Sequence, residues 1–232
     1  MSPQGHRSEG PLPLNRHTYV RLTATRLWDD LPLVLLAGFV FTVLCVPASL
    51  LFVFGLFVPA LIVGALSIGP AWAALLALEA EIVRGVKTNI GVMLKGLPRY
   101  WARSAGLGLL ASFPVFAALF TLPSLARPKV PTIVWLGLAT DALGMLILIT
   151  LFLHAFPLLV LHDLDLRTTL RNALILTSRH IVNTLGLLSM GILFVFATLY
   201  LSPGLLFILP AVWGIFVVNN CRMVVEEELA DE

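Results

Sequence analysis

The chain has 232 residues, of which 59% are hydrophobic and only 12% are charged, with a formal net charge of +2. About a quarter of residues are charged in a typical soluble domain, so this composition excludes an ordinary soluble globular protein. The small net charge gives no support to nucleic-acid binding. Apolar runs longer than the ~18 residues that mark a transmembrane helix recur, which predicts a multi-pass membrane protein.

The first 30 residues are polar and are predicted to form a cytoplasmic tail followed by an interfacial segment. Residues 1–14 are predicted to be disordered, whereas residues 15–30 mix apolar side chains with arginines, as at a membrane surface. The apolar run that follows is several times longer than the core of a secretory signal peptide. We therefore predict that it is a retained membrane anchor.

Residues 31–78 contain no Asp, Glu, Lys, Arg or His. As one straight helix they would be roughly 70 Å long, more than twice the ~30 Å thickness of a bilayer's hydrocarbon core. This segment must cross the membrane twice, and we predict span one at residues 31–53 and span two at residues 60–83. Gly69 and Pro70 predict a kink in span two.

One face of span two carries small residues four positions apart, at Ala65, Gly69, Ala73 and Ala77. Small residues allow membrane helices to approach each other closely. This pattern predicts a close contact between span two and a neighbouring helix.

Two basic segments, residues 85–103 and 164–179, have apolar residues spaced as in an amphipathic helix. We predict that both lie as connector helices at the cytoplasmic membrane interface. Four further spans are predicted, at residues 104–122, 132–158, 181–201 and 205–219, before an acidic cytoplasmic tail at residues 223–232. The predicted fold is therefore all-α, a bundle of six transmembrane helices with two connector helices.

The distribution of basic residues supports six spans. With both termini on one side, all of the 15 Lys and Arg residues except Arg127 and Lys129 fall on that side. The positive-inside rule then places both termini in the cytoplasm. A five-span arrangement would divide the basic loops between both sides, so six spans are preferred.

An offset of 80 residues aligns the two basic segments. Lys87 then matches Arg167, Arg99 matches Arg179, and a proline follows each copy. The alignment predicts a parallel internal repeat, in which span two, connector and span three recur as span four, connector and span five. Chance similarity between two leucine-rich helix pairs is the alternative.

Asp141 is the only acidic residue well inside a predicted span, and an intramembrane carboxylate indicates a functional site. It could carry a proton or contact a cationic substrate. The alternative is a hydrogen-bonded residue near the outer interface. His154 lies about 20 Å further along the same helix axis, so the two cannot pair directly, and we predict a packing role for His154.

Charged residues also cluster at the predicted cytoplasmic end of spans two and three. Glu79 and Glu81 end span two, and Glu81 is positioned to pair with Arg84 along the helix. Arg99 and Arg103 enter span three on the same side. We favour a structural belt at the interface over a gating network.

A metal site is not favoured. His162, Asp163, Asp165 and His180 include potential ligands, but Asp163 or Asp165 more simply caps the following helix. The sequence has no H-E-x-x-H, nucleophile elbow, Walker A or dinucleotide motif. We therefore predict no cofactor, no metal and no enzymatic activity.

The sequence S-I-G-P-A at residues 67–71, followed by A-A-L at 73–75 and V-R-G at 83–85, resembles a family signature. It is similar to the T-x-G-P-A-x-x-A-L segment and basic connector of the YesL-like family of bacterial integral membrane proteins. Residues 99–101 and 171–180 fit the same pattern. The long apolar run before Ser67, with its prolines, departs from it.

The resemblance implies location in the bacterial inner membrane and association with carbohydrate uptake and utilisation genes, without a settled activity. We expect an accessory or scaffold protein that contacts membrane lipids and either a carbohydrate transporter permease or a second copy of itself. The alternative is a small solute or proton-coupled transporter, based on the repeat, a helix broken at Gly69 and Pro70, and Asp141.

The topology can be tested by labelling single cysteines in intact cells, after Cys45 and Cys221 are replaced by alanine. A cysteine at Ser124 should react with a membrane-impermeant probe added outside. Cysteines at Ser8 and Asp231 should react only after the membrane is opened. Labelling of either terminus in intact cells would refute the six-span arrangement.

Overall fold

The computed structural model describes residues 19–126 and 130–230, and every secondary-structure element in these ranges is helical. Eight α-helices follow in order: α1 Tyr19–Asp29, α2 Leu31–Val53, α3 Phe57–Arg84, α4 Ile90–Thr121, α5 Thr132–His162, α6 Leu166–Arg179, α7 Ile181–Tyr200 and α8 Leu209–Ala230. Short 3₁₀ helices follow α4 at Leu122–Ala126 and α7 at Pro203–Phe207. The predicted disordered tail and the basic pair Arg127 and Lys129 lie outside the described residues.

Among the described residues, five helices are long and apolar enough to cross a membrane: α2, α3, α4, α5 and α7, with mean hydropathy between 1.9 and 2.4. These are the helices of a membrane-embedded protein. The predicted sixth span corresponds to α8, whose last turns carry charged residues and which is not among the five. The six-span count therefore stays a prediction.

Small residues bring α3 and α4 together as an antiparallel pair. The Cα of Gly69 lies against the backbone of Ser104, and the Cα of Gly108 lies against the backbone of Ala65. A Cβ at either glycine would lie 2.6 Å from a carbonyl oxygen of the other helix. The close contact predicted from the small-residue face of span two is confirmed.

The first connector is not separate from span three. Residues of the predicted connector form the first half of α4, and the helix continues without interruption through Pro98 to Thr121. Asn89 begins it by accepting a hydrogen bond from the Gly91 N–H at 2.9 Å. Proline removes one backbone hydrogen bond, and the packing of Met93 and Gly96 against α3 holds the helix together across it.

The helix predicted to be broken at Gly69 and Pro70 is also continuous, because α3 runs from Phe57 to Arg84. Both residues are buried. The contact of Gly69 with Ser104 fixes the backbone at this point, so the loss of one hydrogen bond at Pro70 does not end the helix.

The second connector is a separate helix, α6, that buries Thr169, Ala173 and Leu176 on one face. The carboxylate of Asp165 accepts a hydrogen bond from the Thr168 N–H at 3.2 Å, which caps the helix start. His180 alone separates α6 from α7.

Helices α7 and α8 pack antiparallel. The indole N–H of Trp213 donates to the carbonyl of Leu187 at 3.3 Å. Glu228 near the end of α8 pairs with Arg179, the last residue of α6, and with His180, which precedes α7. One side of α8 is buried in the core, at Ala211, Ile215, Val218, Cys221 and Val224. The Asn219 amide donates to the Thr23 hydroxyl at 2.5 Å, which attaches α1 to this helix.

The close α3–α4 contact predicts a difference between two glycines. Gly108→Ala should lower the free energy of unfolding by ~1–3 kcal/mol, because its Cβ would overlap the Ala65 backbone. Gly137→Ala in α5 is the control, since no atom lies within 4 Å of its Cβ position. It should raise stability by roughly 0.5–1 kcal/mol. Equal unfolding temperatures for both variants in detergent would contradict the packing described.

Candidate functional site

Glu79 lies in the core between α3 and α8, with only 1% of its surface exposed. Its place in an interfacial belt stays a prediction, and the structure shows that α8 covers this side chain. Its carboxyl group lies directly against Gly214, where a Cβ would be 2.7 Å from both Cδ and Oε1. Within the described part of the chain, neither carboxyl oxygen has a hydrogen-bond partner.

The surroundings of Glu79 are apolar. The core on α3 and α8 includes the fully buried side chains of Leu75, Leu78, Ile215 and Val218. Trp72 of α3 and Trp213 of α8 lie with their ring centroids 5.5 Å apart. A carboxyl group without a partner in such a core is an unusual and costly feature, which makes it a candidate for function.

His154 of α5 is buried and has one partner. Its Nε2 lies 2.9 Å from the Thr184 hydroxyl, which also donates to the carbonyl of His180 at 3.0 Å. Because a hydroxyl has one hydrogen, we assign the N–H of the neutral ring to Nε2. Nδ1 has no hydrogen-bond partner among the described residues. The predicted packing role therefore does not account for the burial of this nitrogen.

A polar chain leads from His154 to the protein surface. Thr184 connects it to His180, whose Nε2 lies 3.0 Å from the carboxylate of Glu228. Arg179 pairs with the other oxygen of that carboxylate. Hydrogen bonding to His180 and Arg179 lowers the pKa of Glu228 from its ordinary value. Glu228 was not among the residues predicted from sequence, because its partners Arg179 and His180 lie far from it in the chain.

Arg99 and Arg103 hold the junction between α5 and α6. Arg99 pairs with the Asp163 carboxylate at 2.9 Å and Arg103 pairs with it at 2.5 Å. Arg103 also donates to the carbonyls of Asp163 and Leu164 at 3.0 and 2.8 Å. Asp163 ends α5 with a positive φ of 52°, which places its carboxylate toward α4. We call this set the arginine clamp.

The clamp changes the acidity of its carboxyl group. Hydrogen bonds from Arg99 and then from Arg103 hold the pKa of Asp163 below its usual value. The two candidate capping residues thus have different roles: Asp165 caps α6, and Asp163 binds the two arginines.

Two other predicted residues have simpler surroundings. Glu81 pairs with Arg84 at 3.4 Å, as the helix spacing predicted. Asp141 is half-buried on α5, and within the described residues it forms no hydrogen bond or ion pair. The Thr140 hydroxyl donates to the Leu136 carbonyl and not to Asp141. The structure does not bring Asp141 together with Glu79 or His154.

An open apolar cleft of about 650 Å³ lies between α2, α3 and α4. We call it the small-residue cleft, because its lining includes Ala48, Gly64, Ala65, Gly69, Gly108 and Ala111. Its two serines donate their hydroxyls to backbone carbonyls of their own helices, at Cys45 and Leu109. The lining is suited to an apolar occupant, and the volume is within the ~300–1,000 Å³ of common ligand sites.

In the part of the chain that the structure describes, no group of three or more His, Cys, Asp or Glu side chains is arranged to hold a metal. His180 binds Glu228, whereas Asp163 binds arginines, so the potential ligands considered from sequence are used in different contacts.

Comparison of the chain with protein-family models, with curated proteins and with solved structures found no match. The resemblance to the YesL-like family thus remains a prediction from the motifs at residues 67–85.

The arginine clamp predicts a pH effect on stability. The lowered pKa of Asp163 means that its contribution is present above the unfolded-state pKa of ~3.9 and is lost as pH falls through the lower folded-state value. Asp163→Asn should remove this part of the acid dependence of the unfolding temperature.

The effect should be small, because Arg99 is 60% and Asp163 45% exposed and solvent screens the pair. Asp29→Asn, at an exposed aspartate outside the clamp, is the matched control and should keep the wild-type acid dependence. If both variants show the wild-type acid dependence, the clamp does not stabilise the fold.

Proposed function

We propose that this protein is a non-enzymatic accessory or scaffold protein of the bacterial inner membrane, linked to carbohydrate transport or utilisation. The observation that carries the proposal is the small-residue cleft, which is open to the outside and combines glycine, alanine and serine with larger apolar side chains such as Phe52 and Trp72. Such surfaces allow close contact with another transmembrane helix. The proposed occupant is a helix of a carbohydrate transporter permease.

Two sequence features support this proposal. The first is that the sequence has no H-E-x-x-H, nucleophile elbow, Walker A or dinucleotide motif. The second is the resemblance to the YesL-like family, whose expected context is carbohydrate uptake.

The proposal includes six membrane crossings with both termini in the cytoplasm. Glu228 meets Arg179 and His180, so α8 returns along the whole of α7 to the level at which α7 begins. This contact supports α8 as a sixth crossing despite its charged end. The described arginine ion pairs lie in segments predicted to be cytoplasmic, which supports the same orientation. They involve Arg84, Arg99, Arg103, Arg179 and Arg222.

The order of elements supports the internal repeat within this proposal. The same order of elements occurs from α3 to α5 and again from α5 to α8. It consists of a long helix, a basic helical segment, an apolar helix, a 3₁₀ helix and another long helix. The copies differ at one point, because the basic segment and the apolar helix are continuous in α4 but separated at His180 in the second copy.

A small proton-coupled transporter is the second candidate. The observation that favours it is the buried carboxyl of Glu79, which is better enclosed than the half-buried Asp141. Intramembrane carboxyl groups often take part in proton transfer. The continuity of α3 removes one argument for it, since the structure has no broken helix at Pro70.

Cross-linking and purification from bacterial membranes will test the accessory role. The expected result is recovery of a carbohydrate transporter permease, identified by mass spectrometry. Ala111→Phe, which fills the small-residue cleft, should abolish this recovery. Ala142→Phe on the exposed side of α5 is the matched control and should leave it unchanged.

Reconstitution into liposomes with a panel of sugars and a pH gradient distinguishes the second candidate. The accessory role predicts no solute or proton flux from the purified protein alone. Robust flux that Glu79→Gln or Asp141→Asn abolishes would overturn the accessory role and establish transport.

A further inference from the structure

We propose that Glu79 is a proton-binding site enclosed between α3 and α8, whose carboxyl group stays protonated while these two helices are packed together. This property of Glu79 is independent of an accessory or a transport role. The side chain is 1% exposed, and both carboxyl oxygens lack a hydrogen-bond partner in the described part of the chain.

The fit of Glu79 against Gly214 leaves no space for a larger ligand. A methyl group at position 214 would already lie 2.7 Å from Cδ and Oε1 of Glu79. A metal ion would need several oxygen ligands around it, and this carboxyl group faces an apolar core. A proton needs no added volume, so it is the occupant that the geometry admits.

Within the described part of the chain, no charged side chain is hydrogen-bonded to Glu79. Several charged groups on the helices packed against α3 have partners of their own: Arg99 and Arg103 with Asp163, and Arg222 with Glu226. On α3 itself, Glu81 pairs with Arg84. His154 of α5 is bonded to Thr184, and α2 has no charged residue.

The other titratable or charged groups described on these elements are not hydrogen-bonded to Glu79. They are Arg26, Asp29 and Asp30 at α1, Cys45 on α2, Lys95 and Tyr100 on α4, Asp141 and His162 on α5, and Cys221, Glu227 and Glu228 on α8. An isolated carboxylate in an apolar interior is strongly unfavourable, whereas the neutral acid is tolerated. The protonated form is therefore the one compatible with this packing.

Release of the proton then depends on the contact between α3 and α8. When the Glu79 carboxyl ionises, its proton passes to water, which must reach a group that Gly214 now covers. A displacement of α8 that admits water would favour the carboxylate.

Infrared spectroscopy of the protein in lipid nanodiscs, labelled with ¹³C-glutamate at the carboxyl carbon, tests the inference. At neutral and mildly alkaline pH we expect one band of a protonated glutamic acid. Glu79→Gln should remove it, while Glu81→Gln, which alters an exposed carboxylate of the same helix, should retain it. The label excludes Asp141 as its source.

A wild-type spectrum without a protonated glutamate band at neutral pH, or a band that persists in Glu79→Gln, would overturn the assignment. If Glu79→Gln does not fold, wild-type protein decides through exchange in D₂O: the enclosed O–H should exchange slowly, and immediate exchange would refute enclosure.

Gly214→Ala tests the dependence on helix packing, because the added methyl group must displace the carboxyl. The band should then disappear at a lower pH than in the wild type. An unchanged titration in folded Gly214→Ala would show that α8 does not control the proton. Flux in liposomes is measured separately. The proton site can therefore be refuted without refuting the proposed function, and the reverse.

Discussion

The close approach of α3 to α4 is the contact on which the rest of the structure depends. Because Gly69 and Gly108 have no side chains, the two backbones touch, and α3 becomes the central helix of the bundle. Its other sides then pack against α2, α5 and α8. In a membrane, apolar side chains gain little by leaving lipid, so such backbone contacts and tight packing provide much of the specificity.

Hydropathy and the small-residue pattern predicted much of this arrangement. Apolar length alone located α2, α3, α5 and α7, since a helix that crosses lipid must satisfy its backbone internally. The face containing Gly69 correctly indicated a close helix contact. Apolar length and small-residue spacing are both local properties, so they can be read from a single sequence.

The contacts that the sequence did not predict have the opposite origin. The position of Glu79 near the end of α3 can be counted from the sequence, whereas its burial depends on Gly214, far away in sequence. The partners of Arg99 and Arg179 likewise come from Asp163 and Glu228 on other elements. The first connector and span three form one continuous helix, α4. This continuity depends on packing against α3, which the spacing of apolar residues in the sequence does not show.

His180 determines how the helices in the second half of the bundle are joined. It is the single residue between α6 and α7, and its ring contacts Glu228 near the end of α8. A one-residue link keeps the end of α6 next to the start of α7, so a movement of either helix end must displace the other. The contact with Glu228 brings the end of α8 to the same point. The side chain of His180 therefore lies where the ends of three helices meet.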